Sequence, residues 1–343
     1  MRLIELLLQL LKGMEKDKLI NLKKNFFADT KMSDEEFINL ISKYQINYKK
    51  CCPKCGSTNF VKAGFTNKGL QRYKCHEHKG TFSTFTGTPY AYSKKDICRW
   101  IQFIKLMTTG ASIRLCAKAC NLNIATAFFW RHKILKAILE MLPKNLRGII
   151  EINEVFFAES FKGNHSKSKH FVMPREPRKR GLTYAEYLDA DKVAVLACKD
   201  RSQNMFASAA DHCRVRFPKA YALLNDKIPE KSILCTNNNM AYIGLAKFLN
   251  CILYKMHYVG EVKEGKYHII NVSNLCKKIK RIINYKFKGV ASKYLNHYLA
   301  WIHCMERVEK YISEIQLIDM LSMTMYSAIT LRISDFKDIV CAV

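Results

Sequence analysis

Apolar positions change their period along the chain, and each change marks a different kind of element. Near the start, Leu3, Leu6, Leu7 and Leu10 recur at helical spacing, and Ser33-Asp34-Glu35-Glu36 opens a second helix with a capping pattern. A small helical pair is expected over 1–48, with a protein-contact helix as the functional alternative. Helical spacing returns over Lys94–Met107 through Ile97, Ile101, Ile104 and Leu106. A short helix, Ile113–Cys120, follows with Ser112 as its cap, and then a longer one, Ala125–Leu142. From residue 148 strands alternate with helices. Gly148–Ser160 reads GIIEINEVFFAES, a β-branched and aromatic run with polar breaks at Glu151, Asn153 and Glu154, which suits a strand between a core and a cleft. Lys192–Cys198 and Asn204–Ala209 read as a hairpin turning at Asp200-Arg201-Ser202. Ser232–Thr236 and Cys251–Tyr254 read as further strands, and Pro218–Leu224 and Met240–Leu249 as helices. The remainder is helical, and Lys277, Lys278, Lys280 and Arg281 crowd one helix. The fold class is therefore α/β, preceded by helical parts.

Composition narrows the partner. With 343 residues, 49% of them apolar, the chain can bury two or three cores. Its 57 basic residues against 29 acidic ones give a formal charge of +28, which calls for a polyanion, nucleic acid before membrane. The most apolar late stretch, Ile315–Ile333, is interrupted by Asp319 and Arg332 and is expected as a buried helix, not a membrane span. Arg2 and Glu5 break the first apolar run, so it is read as an amphipathic helix and not a secretory signal. Without a signal, 14 cysteines imply a reducing cytosol, in which most are core thiols and a clustered few bind metal.

Residues 49–85 contain that cluster. Cys52-Pro53-Lys54-Cys55 is a tight knuckle, and Cys75-His76-Glu77-His78 closes a second one after the strand-like Arg72-Tyr73-Lys74. Cys52, Cys55, Cys75 and His78 offer zinc four tetrahedral ligands, and His76 and Cys51 are the spare candidates. The short helix, polar turn and longer helix of 112–142 form a helix-turn-helix pattern, with Trp130, Arg131 and Lys133 as DNA-contacting candidates. The basic stretch Lys162–Arg180 includes Arg178, Lys179 and Arg180; it is expected to track phosphates, a solvated loop being the alternative.

The order CPKC…YKCHEH, helix-turn-helix, EINEVFFAESFKG, PRKRG, SILCTNNNMAY, YHIINVS and FKGVASKYLNHYLAWI resembles bacterial insertion-sequence transposases, in the branch related to eukaryotic Merlin elements. The resemblance covers about residues 50–305. Together with the residue patterns it divides the chain into an N-terminal helical segment (1–48), a zinc ribbon (49–85) and a helix-turn-helix domain (86–145). An RNase H-like mixed sheet with flanking helices (146–310) and a C-terminal helical segment (311–343) complete the chain. It also implies double-stranded DNA at terminal inverted repeats as partner, a homo-oligomer on that DNA, structural Zn2+, and catalytic Mg2+ or Mn2+. The setting would be cytoplasmic and nucleoid-associated. In the family two aspartates and a third polar or acidic residue hold the catalytic cations, with a lysine seven positions after the third. Those positions fall on Asn153, Asn237, Ser273 and Lys280, so the first three are substituted.

Paired-metal cleavage needs anionic oxygens to collect the cations, and an amide offers only a neutral dipole. Glu151, Glu154 and Asp200 are the nearby carboxylates, and the two glutamates are expected on the strand face opposite Asn153. The expected function is an insertion-sequence transposase-like protein that binds element ends with impaired cleavage. The alternative is a non-catalytic regulator derived from such a protein. A zinc-ribbon transcription factor unrelated to transposition leaves 148–305 unexplained.

Overall fold

The computed structural model describes residues 51–67, 71–83, 85–163, 172, 174, 192–308, 320, 321, 323, 324, 327, 329, 331, 332 and 334–336. The helical pair expected over 1–48, most of the C-terminal helical segment, and Arg178, Lys179 and Arg180 lie outside the described residues. The chain divides into two compact units, one drawn from Met1–Asn123 with Ser313–Thr330, the other from Ile124–Ile312 with Leu331–Val343.

In the first unit β1 (Phe60–Phe65), β2 (Gln71–Cys75) and β3 (Thr81–Ser83) form an antiparallel meander. Alternation along β2 buries Tyr73 and Cys75 and exposes Arg72 and Lys74. The enclosed core is small: Cys52, Tyr73, Cys75 and Phe82, with Phe60 packed against them. Phe60 meets Tyr73 and Phe82 edge-on at 5.6 and 5.3 Å between ring centroids. Two helices follow, α1 (Ile97–Thr108) and α2 (Ile113–Ala119). Asp96 caps α1 by accepting from the Arg99 amide at 2.9 Å, and Ser112 caps α2 by accepting from the Leu115 amide at 3.2 Å. Of the two caps, the sequence pattern predicts only the second.

The second unit begins with α3 (Ile124–Met141) and continues as an α/β layer. Its strands are β4 (Ile149–Ala158), β5 (Lys192–Asp200), β6 (Met205–His212), β7 (Ile233–Thr236) and β8 (Ile252–Lys255). They lie in the order β6-β5-β4-β7-β8. The hairpin pairs are antiparallel, and β7 and β8 run parallel to β4. An antiparallel three-stranded meander whose first strand then takes a parallel neighbour, with a second parallel strand beyond it, is the RNase H-like arrangement. Helices α4 (Phe217–Leu224), α5 (Ala241–Phe248), α6 (Ile270–Arg281) and α7 (Leu295–Val308) flank it. One core joins Ile150, Ile152, Leu196, Leu234, Tyr242 and Leu245. The run Val193–Cys198 is buried at every position, as its unbroken apolar sequence requires of a central strand covered on both faces.

Helix α3 forms within a residue of the expected Ala125–Leu142. The division into two compact units falls between Asn123 and Ile124, and α3 packs on α7. Trp130 and Arg131 are buried, Arg131 being only 1% exposed. Its guanidinium lies 5.1 Å from the Trp301 ring, which accommodates the charge over an aromatic face. Lys133 is half-buried, and desolvation lowers its ammonium pKa despite the opposing charge of Asp335. Beside them His132 and His297 meet Nδ1 to Nδ1 at 2.9 Å, among the rings of Phe128, Tyr294 and Tyr298. One Nδ1 must donate and the other accept, so the accepting ring is neutral, and burial favours the neutral form of both.

That pair makes the second unit sensitive to acid. Burial, then the Lys136 charge, pull His297 down to about 4, and burial followed by the His297 charge depresses His132 as well. A histidine whose folded pKa lies below its free value takes up protons on unfolding, so stability is present above pH 6.5 and is lost as pH falls towards 4. The His297 shift alone corresponds to about 3 kcal/mol across that window. Thermal unfolding followed from pH 7.5 to 4.5 should show this loss, and a His132→Phe/His297→Leu variant should show a flatter profile. Parallel profiles for the two proteins would count against the assignment.

Candidate functional site

Two groups of polar side chains stand out, one in each unit. In the first unit the loop after Cys52 and the turn after β2 bring Cys52, Cys55, Cys75 and His78 together, with all four donor atoms within 4.8 Å of one another. Cys52 Sγ and His78 Nδ1 are 3.4 Å apart, Cys55 Sγ and Cys75 Sγ 3.5 Å, and Cys55 Sγ and His78 Nδ1 3.8 Å. Tetrahedral zinc with Zn–S of about 2.3 Å and Zn–N of about 2.0 Å sets its donors roughly 3.5–3.8 Å apart, so the group fits that ion. Desolvation works to raise the Cys75 thiol, but hydrogen bonds from the backbone and ring of His78 and from Cys55 bring it down to about 6, towards the thiolate a metal requires. Of the spare candidates, neither Cys51 nor His76 belongs to the group. Gly80 lies against the ligand ring: a Cβ there would stand 2.6 Å from His78 Nε2.

In the second unit Asn153, Asn237 and Ser273 converge from β4, the end of β7 and the first turn of α6. Asn153 Nδ2 donates to Ser273 Oγ at 3.1 Å, and Asn237 Nδ2 donates to Asn153 Oδ1 at 3.3 Å. Asn153 Oδ1 also accepts from the Glu154 amide at 2.8 Å, and Asn237 Oδ1 accepts from the Asn239 amide at 3.3 Å. Each of the three side-chain oxygens is thus neutral and already engaged. This donor set does not fit Mg2+ or Mn2+, which are held through carboxylate oxygens. Lys280 is exposed about two turns further along α6.

The nearby carboxylates are occupied elsewhere. The sequence reading puts both glutamates on the face opposite Asn153, and for Glu151 the structure corrects this. Positions 151 and 153 are two apart, so strand alternation puts them on one face, and both meet α6. Buried Glu151 accepts from Asn271 Nδ2 at 2.7 Å and the Val272 amide at 2.9 Å, and it pairs with Arg201 at 2.6 Å. Glu154 does face the other way, accepting from Asn239 Nδ2 at 2.6 Å and the Tyr242 hydroxyl at 2.9 Å. Asp200 closes the β5–β6 turn, accepting from the Asn204 amide and side chain at 2.8 Å each. Sequence reasoning missed Arg201, His268 and Asn239 as parts of this network. Asn239 was legible as a third asparagine ending a buried strand, whereas Arg201 and His268 carry no local signal.

No protein-family model matches the chain. An uncharacterized protein in the transposable element ISH50 of Halobacterium salinarum is 26% identical over 281 residues, covering 79% of this chain and 90% of that protein. Among solved structures, a Drosophila P element transposase strand transfer complex is similar at 10% identity and TM-score 0.29, covering 68% of this chain and 65% of that one. A pre-cleavage Mos1 transpososome is similar at 13% identity and TM-score 0.22, covering 64% of this chain and 77% of that one. The insertion-element likeness spans most of both chains and agrees with the transposase resemblance drawn from the motifs. Among the described residues no helix is long and apolar enough to cross a membrane.

The metal group makes a direct prediction. Purified protein should carry one zinc per chain, and Cys52→Ser should release it and unfold the ribbon, whose apolar core is too small to persist alone. Gly80→Ala should weaken retention against a chelator, because a liganded His78 ring cannot swing away from the new methyl group. Protein purified without any bound zinc would refute the assignment.

Proposed function

We infer that this chain is an insertion-sequence transposase-like protein that binds the ends of its element and no longer cuts them. The observation that carries the second half is the convergence of Asn153, Asn237 and Ser273 on one another with no carboxylate oxygen among them. The three positions match the catalytic positions of the transposase family in the Merlin-related branch, and they meet although they lie on separate elements. Two-metal phosphodiester cleavage draws its cations into such a site by ligand charge, and here that charge is absent. The insertion-element relative and the RNase H-like strand order support the first half.

Binding is assigned to double-stranded DNA at terminal inverted repeats, on a homo-oligomer, in the cytoplasm at the nucleoid. The +28 formal charge supports a polyanionic partner. Burial of Trp130 and Arg131 moves the expected contacts away from the middle of α3. Exposed Arg114 and Lys118 on α2, and Arg72 and Lys74 on the outer face of the ribbon, remain to meet phosphate in the first unit. Lys280 and the Arg178-Lys179-Arg180 segment are assigned to the same role. A protein that occupies element ends without cutting them acts as a competitor of any active copy, which is the regulatory form of this reading.

The test uses labelled element-end DNA with Mg2+ or Mn2+. The unchanged protein should bind with an affinity that falls steeply with salt and should leave the DNA intact. The triple variant Asn153→Asp/Asn237→Asp/Ser273→Asn should bind comparably and cleave. Cutting by the unchanged protein at the variant's rate would overturn the assignment of the site, and absence of end binding would overturn the function.

A further inference from the structure

The two glutamates beside Asn153 point to opposite faces of β4, and each reaches the element that carries another member of the triad. Glu151 takes hold of the start of α6. Its carboxylate accepts from Asn271 Nδ2 and the Val272 amide, one residue before Ser273. Its partner Arg201 donates to the Lys266 carbonyl at 2.9 Å and meets His268 Nε2 at 3.0 Å, so the whole run into α6 is tied to β4. Glu154 takes hold of the connection between β7 and α5. It accepts from Asn239 Nδ2, the Tyr242 hydroxyl and, at 3.3 Å, the Val215 amide. Asn239 in turn donates its amide to Asn237 Oδ1.

A carboxylate is the side chain these surroundings require. Each glutamate faces three donors with two oxygens, and a glutamine would set its NH2 group against at least one of them. Burial followed by the Glu154 charge raises the Tyr242 hydroxyl well above its usual range, so it stays a donor. Buried carboxylates are a poor route to stability alone, since well-packed apolar residues serve as well or better. What these two provide is fixed separation between three secondary-structure elements.

We propose that Glu151 and Glu154 are positioning residues, two struts that hold positions 273 and 237 against position 153, so that the site keeps the frame of a metal centre and lacks only ligand charge. This rests on reading those three positions as the family's metal positions. The Asn153→Asp/Asn237→Asp protein should then bind Mn2+, measured by calorimetry and by electron paramagnetic resonance, where the unchanged chain does not. Adding Glu151→Gln or Glu154→Gln should weaken Mn2+ binding about tenfold or more, the usual cost of losing an outer-shell partner. Zinc content and unfolding temperature, read on the same samples, separate this from general loss of structure. Should either glutamine variant fail to fold, Asn271→Ala and Tyr242→Phe each remove a single donor and should weaken Mn2+ by a smaller factor.

Folded strut variants that bind Mn2+ within twofold of the double-aspartate parent would overturn the proposal. So would a double-aspartate parent that binds no Mn2+, because the frame would then not be set for a metal. Mn2+ uptake needs no DNA, so failure to bind element ends sinks the proposed function while leaving this result readable.

Discussion

The ladder that β4 makes along both of its edges, antiparallel to β5 and parallel to β7, fixes the second unit. Because it is central, each of its faces is covered, and alternation sends its side chains to two different jobs. Ile150, Ile152 and Glu154 face the layer that contains Tyr242, while Glu151 and Asn153 face α6. A one-residue slip of this strand would exchange the two sets, burying Asn153 in the apolar core and pulling both glutamates from their donors. Register, in other words, is held by polar groups on both faces as much as by the apolar ones.

How much of this was legible in the sequence depended on whether the signal was local. The β5–β6 hairpin, the Ser112 cap and the strand ending in three asparagines each announce themselves within a few residues, and each formed where expected. The zinc-type group was legible for the same reason, since two knuckles supply all its ligands. The packing of helix α3 was not. Its sequence is apolar around most of its circumference, and which face Arg131 takes is decided by Trp301 on α7. The His132–His297 contact spans 165 positions and has no local signature at all. Glu151 was a different case, readable from strand parity alone: position 151 shares a face with 153.

The first unit shows the opposite balance between local chemistry and packing. Its sheet has short strands and a handful of buried rings, and such a core falls short of the entropy cost of ordering its loops. The four donors stand at the edge of that core, with Cys52 and Cys75 buried in it, so metal ligation and ring packing act on the same residues. An RNase H-like layer has ample apolar area and needs no such clamp.

That difference bears on the neutral triad. With aspartate at 153 and 237, two carboxylates would face each other where Asn237 Nδ2 now touches Asn153 Oδ1 at 3.3 Å. Like charges at that separation require a cation between them, or a proton on one of them, before the elements can close. The amides remove the requirement. Asn153 donates to Ser273 while accepting from Asn237 and from the Glu154 amide, so the three elements close on hydrogen bonds alone. Amides at 153 and 237 therefore leave the triad without ligand charge to collect a metal and, by the same chemistry, without the need for one. The Glu151 and Glu154 contacts lie outside that exchange and hold whichever pair occupies the centre.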